Sequence, residues 1–158
     1  MVRSAIEYNV SVWSPYKKYE IEALEKVQKR ATKIPSICKG LNYFERLKLL
    51  ELPCLKFRRL RGDMIETYTI LTGKYDKLAS PEMNLNNLGI TRGHNLKLCI
   101  NRTKYDLRKH FFINRIGIIW NSLPNNVVKA DNVNIFKNRL DKFWVSQDCV
   151  YDYQAELN

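Results

Sequence analysis

The chain has 158 residues, of which 45% are apolar, enough for one ordinary domain or two small ones with a packed core. This composition excludes disorder over most of the chain, and no apolar run is long enough to span a bilayer. The formal charge is +11, which favours an anionic partner, and nucleic acid is the usual one. A basic protein without such a partner is the alternative that charge alone leaves open.

The N-terminus and the cysteines both indicate a reducing compartment. Glu7 and Asn9 stand where a signal peptide needs an apolar core, so we expect no export. No C-x-x-C pair occurs among the four cysteines, which favours free thiols in an intracellular protein, nuclear or cytoplasmic. Cys99, His94 and His110 match no zinc motif, so we expect no metal and no other cofactor.

The first predicted element is a short helix from Val2 to Trp13. Pro15 separates it from a long helix, Lys17 to about Ile34, because proline fixes its own φ and lacks a backbone N–H. We interpret Trp13 and Tyr16, on either side of this turn, as core residues. Stacking on nucleic-acid bases is the alternative for both rings.

The long helix carries two stripes. Its apolar residues recur at spacings of three and four: Ile21, Leu24, Val27, Ala31 and Ile34. A basic stripe follows similar spacings: Lys26, Lys29, Arg30 and Lys33. Four like charges on one face repel one another unless an anion lies across them, so this stripe predicts phosphate contacts. A solvated surface is the alternative.

Two further helices are predicted before residue 73. Asn42 caps a helix from Tyr43 to Glu51, with Glu45 completing a capping box. After Pro53, a third helix runs from about Leu55 to Leu71 and begins with a cluster of cations. We favour a solvated face for this cluster, with Arg59 paired to Asp63, and keep Arg58 as a phosphate contact.

The second half begins with turn-forming residues and continues with a strand pattern. Residues 73–92 predict a loop or linker. Leu96, Leu98 and Ile100 alternate with polar residues, which predicts a strand, and residues 104–107 predict its hairpin partner. The candidate phosphate contacts of this basic segment are Arg92, Arg102, Arg108 and Lys109.

Two helices and a tail complete the chain. The helix from Phe111 to about Leu123 is apolar over most of its circumference, so we expect it at the centre of a core, with Trp120 in its main stripe. The last helix begins near Asp131 or Asn132. The acidic tail after Val145 is expected to be frayed.

These elements predict a mainly α fold. We expect a helical bundle over residues 1–72, a linker over 73–92, a β-hairpin plus two helices over 93–145, and a flexible tail over 146–158. We also expect that apolar surface left exposed would promote self-association.

Several segments of the chain together form a recognisable pattern: Val2-Arg3-Ser4, Glu7-Tyr8, Val12-Trp13-Ser14-Pro15-Tyr16, Leu24 to Lys33, Leu50 to Pro53, Arg58 to Asp63, Thr91 to His94, Arg108 to Phe112, Trp120 to Pro124 and Asn134 to Lys142. These segments resemble the region that follows the catalytic palm in the reverse transcriptases of LINE-type, jockey-like non-LTR retrotransposons. The chain departs from the family pattern between Lys33 and Pro35, where it has one apolar residue fewer.

The resemblance implies a thumb and post-thumb region that contacts a template–primer duplex through its backbone. It does not imply an enzyme, because the family's paired metal-binding aspartates lie upstream of the matching region and this chain has no adjacent pair of aspartates. The expected partner is therefore RNA or an RNA–DNA duplex, bound without sequence preference, and no small-molecule substrate is expected. The alternatives are a protein-interaction or structurally inert remnant that once packed on the palm, or an incomplete gene model of a full polymerase.

Overall fold

The computed structural model describes residues 4, 6–76, 78, 80–86 and 93–157. Over these residues the fold is mainly α-helical, as predicted. The chain divides into two compact units: unit 1 is Met1–Arg61 with Trp144–Asn158, and unit 2 is Gly62–Phe143. The four segments expected from the sequence are a different division and stay a prediction.

Unit 1 contains most of the elements predicted for the first half of the chain. Its helices are α1 (Val10–Trp13), α2 (Lys18–Ala31), a 3-10 helix (Ser36–Cys38), α3 (Tyr43–Leu49), the first part of α4 (Leu55–Leu71) and a second 3-10 helix (Asp148–Val150). The predicted capping box is confirmed, because Glu45 N donates to Asn42 Oδ1 at 2.9 Å and Asn42 N donates to Glu45 Oε2 at 2.8 Å. The first residues of the helix predicted from Val2 lie outside the described part of the chain.

The acidic tail carries ordered contacts within unit 1, although we expected it to be frayed. Cys149 is buried, and the Cys54 thiol donates to the Cys149 carbonyl at 3.1 Å. The backbone N–H of Cys54 donates to the carbonyl of Val150 at 2.8 Å. The tail thus accepts a hydrogen bond from a backbone N–H group just before α4. The acidic composition of the tail gave no sign of this pairing.

Unit 2 is built around large aromatic side chains. Its elements are the remainder of α4, then α5 (Asp106–Lys109), α6 (Phe112–Ser122), α7 (Asn125–Val128) and α8 (Val133–Trp144), whose last residue belongs to unit 1. The ring centroids of Tyr68 and Phe136 stack at 4.4 Å, and that of Trp120 lies 6.0 Å from that of Phe136. All three rings are buried, so Trp120 is central to this core, as predicted.

The predicted β-hairpin is wrong. Asp106–Lys109 forms the short helix α5 where the second strand was expected. Among the described residues the only β pairing is an isolated antiparallel bridge between Leu98 and Leu85. The N–H and C=O groups of Leu98 are bonded instead to the side-chain amide of Asn121. Asn121 Oδ1 accepts from Leu98 N at 2.8 Å, and Asn121 Nδ2 donates to Leu98 O at 2.9 Å. Leu98 therefore has partners on both sides without the hairpin.

The glycine of α6 permits a close approach of the preceding loop. A Cβ atom built on Gly117 would lie 2.8 Å from Ile100 Cγ1, which is closer than carbon atoms pack. The absence of a side chain at this position lets Ile100 lie against the helix, and so helps to place the loop that carries Leu98.

Candidate nucleic-acid interface

The predicted basic stripe of α2 is largely exposed to solvent. Lys26, Arg30 and Lys33 are all exposed, and in the described part of the chain none of them forms an ion pair. Lys26 and Arg30 are separated by four residues, so they lie on one face of α2. Lys33 lies in the turn just beyond the end of the helix, where its backbone N–H donates to the Arg30 carbonyl at 3.1 Å. We call these three residues the basic face.

Lys29, the fourth member of the predicted stripe, belongs to a different environment. It is half-buried, and its ammonium group donates to the Tyr153 hydroxyl at 3.1 Å. The same Nζ atom lies 4.6 Å from the ring centroid of Tyr153 and 5.2 Å from that of Tyr43. Its charge is therefore already stabilised by two aromatic faces within unit 1.

The apolar stripe predicted for α2 is only half-buried at Ile21, Leu24 and Ala31, and the fully buried residues lie on a neighbouring face. Val27 and Ile34 are 42% and 84% exposed, whereas Glu25, Gln28 and Thr32 are buried. At 100° per residue the buried face is rotated by roughly 90° from the predicted one. The prediction misplaced the centre of the buried face because it assumed that apolar residues alone would define the core side.

Hydrogen bonds explain why polar residues of α2 are buried. The Glu25 carboxylate accepts from the Tyr43 hydroxyl at 2.6 Å and from the backbone N–H of Lys56, in the first turn of α4, at 3.1 Å. Burial, followed by the bond to Glu25, raises the pKa of Tyr43. Gln28 Nε2 donates to the carbonyl of Pro53 at 3.3 Å. A carboxylate at a helix N-terminus satisfies N–H groups that have no partner within the helix.

Thr32 completes this buried polar set at the end of α2. Its hydroxyl donates to the Lys29 carbonyl at 3.1 Å and accepts from Arg46 Nε at 3.2 Å. Arg46 Nη1 also donates to the Leu41 carbonyl at 2.6 Å. Because these bonds are directional, they fix the rotation of α2 about its own axis. That rotation turns the basic face towards solvent.

The other predicted phosphate contact of unit 1 is already paired. Arg58 Nη2 donates to Glu7 Oε2 at 2.6 Å, at the exposed start of α4. A phosphate would have to compete with this carboxylate for the same guanidinium group. Arg58 is therefore a weaker candidate than the basic face.

Unit 2 holds the remaining predicted contacts. Arg102, Arg108 and Lys109 are exposed, and the last two lie on the single turn of α5. Arg92 lies outside the described residues. The Asn114 amide donates to the Arg108 carbonyl at 2.7 Å and so ties the end of α5 to α6. Arg102, Arg108 and Lys109 belong to unit 2 and are not counted in the basic face.

The aromatic residues near the start of α2 are exposed as well. Trp13, Tyr16 and Tyr19 are 42%, 40% and 64% exposed, so the interpretation of Trp13 and Tyr16 as core residues is wrong. The ammonium group of Lys17 lies 5.8 Å from the ring centroid of Tyr16 and 5.7 Å from that of Tyr19. Sequence reasoning missed Tyr19. The available signal was its position, seven residues before Lys26 and hence on the same side of the helix.

A cavity of about 440 Å³ opens in unit 1 beside the start of α2, lined by Tyr16, Lys18, Ile21, Glu22, Lys56, Tyr153, Gln154 and Glu156. Its two lysines are balanced by two glutamates. The Lys56 ammonium also donates to the Ala155 carbonyl at 2.8 Å. The cavity therefore offers no excess charge for an anion, in contrast to the basic face.

The two histidines do not join Cys99 in a metal site. No group of three His, Cys, Asp or Glu side chains among the described residues is placed to hold a metal ion. His94 is buried in unit 2 and its Nε2 lies 3.1 Å from the Trp120 carbonyl, so Nε2 carries the proton that this carbonyl accepts. Burial lowers the pKa of His94, against a smaller opposing effect of that hydrogen bond.

Comparison of the chain with protein-family models, curated proteins and solved structures finds no match. In the described part of the chain, every helix is too short or too polar to cross a membrane. The geometry of the chain itself therefore carries the functional proposal.

Proposed function

We propose that the chain binds nucleic acid without sequence preference, through contacts between phosphates and the basic face of α2. The ligand we expect is RNA or an RNA–DNA duplex. Lysine and arginine contacts to phosphates supply affinity and orientation but read no sequence. In this proposal the protein does not itself polymerise nucleotides, because its sequence lacks the adjacent pair of aspartates that the resembling family uses.

The observation that carries the proposal is the isolation of three neighbouring cations. Lys26 and Arg30 on α2 and Lys33 in the turn just after it are exposed, and no described carboxylate lies within ion-pair distance of them. Like charges placed so closely repel one another, and an anion across the face would relieve that repulsion. The buried polar contacts of Glu25 and Thr32 hold the helix in this orientation before any ligand arrives.

The sequence resemblance supports the same proposal from another direction. We propose that the chain corresponds to the thumb and post-thumb region of a LINE-type, jockey-like reverse transcriptase, with a nuclear or cytoplasmic location. Its helical first half and its basic helix are consistent with such a region. The β-hairpin is not part of this proposal, because α5 occupies its place.

The salt dependence of binding tests the proposal. Because Lys29 is held by two tyrosines, we count three phosphate contacts on the basic face and not four. On a B-like duplex the logarithm of the binding constant should then fall with the logarithm of salt concentration with a slope of about −2.7. Between about 50 and 200 mM salt this is a loss of roughly 40-fold, which fluorescence anisotropy measures directly.

A charge-matched control separates the basic face from net charge. The triple variant Lys26→Glu, Arg30→Glu, Lys33→Glu should abolish binding and leave the melting temperature nearly unchanged. The control replaces Lys39, Lys74 and Lys129 with Glu; these are exposed lysines outside the candidate contacts, and the change in net charge is the same. If both triple variants bind equally, only overall charge matters and the proposed site is wrong.

A protein-interaction remnant is the second candidate, favoured by exposed apolar side chains. Val12, Ile34 and Ile37 of unit 1 are 74%, 84% and 67% exposed. Exposed apolar side chains that form one patch commonly mark a protein contact or cause self-association. Sedimentation of the parent chain and of an Ile34→Lys, Ile37→Lys variant tests this candidate. Concentration-dependent association of the parent that the variant lacks would favour it over nucleic-acid binding, provided that neither chain binds a duplex.

A further inference from the structure

Three aromatic rings lie exposed at the point where the chain enters α2. Trp13 ends α1, Tyr16 lies in the turn, and Tyr19 lies in the first turn of α2. The Trp13 ring is fixed in place, because its Nε1 donates to the Tyr8 carbonyl at 2.7 Å. Aromatic rings that are held in position and left open to solvent are the platforms on which proteins stack unpaired bases.

The Lys17 side chain joins two of these rings into one unit. Its ammonium group lies within 5.8 Å of both ring centroids, and Lys17 itself is exposed. We call Tyr16, Lys17 and Tyr19 the tyrosine–lysine cluster. It places a positive charge close to two aromatic rings, which suits a dinucleotide step, where a phosphate joins two nucleosides.

Helix geometry aligns Tyr19, the member of this cluster that lies within α2, with Lys26 and Arg30 of the basic face. Tyr19, Lys26 and Arg30 are separated by seven and four residues, so at 100° per residue they lie within about 40° of one another around the axis of α2. The rise from Tyr19 to Arg30 is about 16 Å. One extended strand can therefore contact the tyrosines with its bases and the basic face with the phosphates that follow.

We propose that the preferred ligand of α2 is single-stranded nucleic acid, with unpaired bases stacked on Tyr16 and Tyr19. This inference rests on the proposed function, because it uses the same basic face for the phosphates. It distinguishes a single-stranded ligand from a duplex, which phosphate contacts alone do not do. In a duplex the bases are stacked on each other and paired, so the tyrosine rings gain no base face, whereas a single strand exposes its bases to them.

Oligonucleotides with and without bases test the inference on the unaltered protein. The ligands are a labelled thymidine oligonucleotide of about twelve nucleotides, within the site sizes common for single-strand binders, an abasic strand of the same length, and a mixed-sequence duplex. The phosphates of the two single strands are the same. We expect anisotropy to show binding of the thymidine strand at least about fivefold tighter than that of the abasic strand, the lower end of what one stacked base contributes.

Two matched double variants assign the effect to the rings. Tyr16→Leu with Tyr19→Leu removes both aromatic faces and should reduce thymidine binding to the level of the abasic strand. Tyr16→Phe with Tyr19→Phe keeps both rings and should bind as the parent does. The abasic strand reports on phosphate contacts alone, so its affinity should be the same for all three proteins.

The outcomes separate this inference from the proposed function. Equal binding of thymidine and abasic strands by the parent overturns the inference, and salt-sensitive binding that depends on the basic face would leave the proposed function standing. An unchanged thymidine affinity in the leucine variant overturns the inference as well. Absence of binding to all three ligands overturns the proposed function and the inference together.

Discussion

Helices α2 and α6 are both amphipathic in sequence, and they bury different kinds of side chain. In unit 2, α6 buries Phe112, Ile116 and Trp120, all from the apolar stripe that the sequence predicts. In unit 1, α2 buries Glu25, Gln28 and Thr32, while Val27 and Ile34 from its predicted stripe are exposed. The contrast shows that hydrophobic periodicity locates a helix more reliably than it orients one.

The physical reason for the contrast is the kind of force that orients each helix. In α6 the interaction is non-directional, because burial of large apolar side chains determines which face packs against the core. The size of Trp120 makes burial of its face much more favourable than burial of any other. In α2 the interaction is directional. Glu25, Gln28 and Thr32 hold specific donors and acceptors of neighbouring segments, and leaving those groups buried and unpaired would cost free energy.

The largest effect is expected for Trp120→Ala in α6. Its indole is fully buried beside Phe136, and Nε1 donates to the Leu96 carbonyl at 2.7 Å. The change removes a large apolar side chain and leaves that carbonyl without its donor. We expect a loss of about 3–5 kcal/mol in the free energy of unfolding, measured by denaturant titration.

Ile118→Ala is the matched control on the same helix. Ile118 is 70% exposed, so its loss should change the free energy of unfolding by no more than about 0.5 kcal/mol. If the two substitutions cost the same, α6 is not oriented as described, and its contrast with α2 disappears.

In α2, replacement of a buried polar residue should destabilise the protein more than replacement of an exposed apolar one. Glu25→Leu leaves the Tyr43 hydroxyl and the Lys56 N–H without their acceptor. We expect it to destabilise the protein by about 2–3 kcal/mol, measured by the same titration, since buried donors without partners carry such a cost. Val27→Ala, on the exposed side, should change stability by no more than about 0.5 kcal/mol.

A double-mutant cycle checks the cause of this effect. If Glu25 acts through Tyr43, then Tyr43→Phe should destabilise less in the Glu25→Leu background than in the parent, by a coupling of at least about 0.5 kcal/mol. Strict additivity would mean that the bond at 2.6 Å contributes nothing measurable. The orientation of α2 would then need another explanation.

A smaller effect is expected from His94, whose ring packs against that of Trp120 in α6. Burial lowers the pKa of His94 below its ordinary value, so the neutral form is favoured in the folded state. Its contribution is then fully present above the unfolded pKa of about 6.5 and is lost as pH falls towards the folded pKa. The free energy of unfolding should fall between about pH 7.5 and 5.5, by at most about 1.4 kcal/mol per pH unit for one proton.

His94→Gln isolates this contribution, because glutamine does not titrate. The variant should be less stable than the parent at neutral pH, and its stability should change less over the same pH range. Parallel curves for the two proteins would show that His94 takes up no proton on unfolding.

Residues that begin or end helices explain why much of the helical fold was predictable. The capping box of Asn42 and the start of α8 after Asn132, whose Oδ1 accepts from Ile135 N at 2.9 Å, are local features. Each depends on residues three positions apart, so the sequence contains the whole interaction. The bounds of α4, Leu55–Leu71, were predicted for the same reason, with Pro53 before the helix and Gly73 after it.

The candidate site was only partly predictable. The sequence contains the charges of Lys26, Arg30 and Lys33, and their spacing predicts one face. It does not contain the neighbours of each side chain. Lys29 differs from the other three because Tyr153, 124 residues later in the chain, accepts its hydrogen bond. The exposure of Tyr19 depends in the same way on which side of α2 is covered.

By itself, the sequence determined the mainly α class, the approximate ends of its long helices and the excess of positive charge, because these follow from local spacing and composition. Only the tertiary structure decided the rotation of α2, the pairing of Leu98 with Leu85 and Asn121, and the attachment of the tail to Cys54. Each of these depends on a partner far away in the chain. A hydrogen bond or a buried contact between distant residues leaves no periodic pattern in either segment alone.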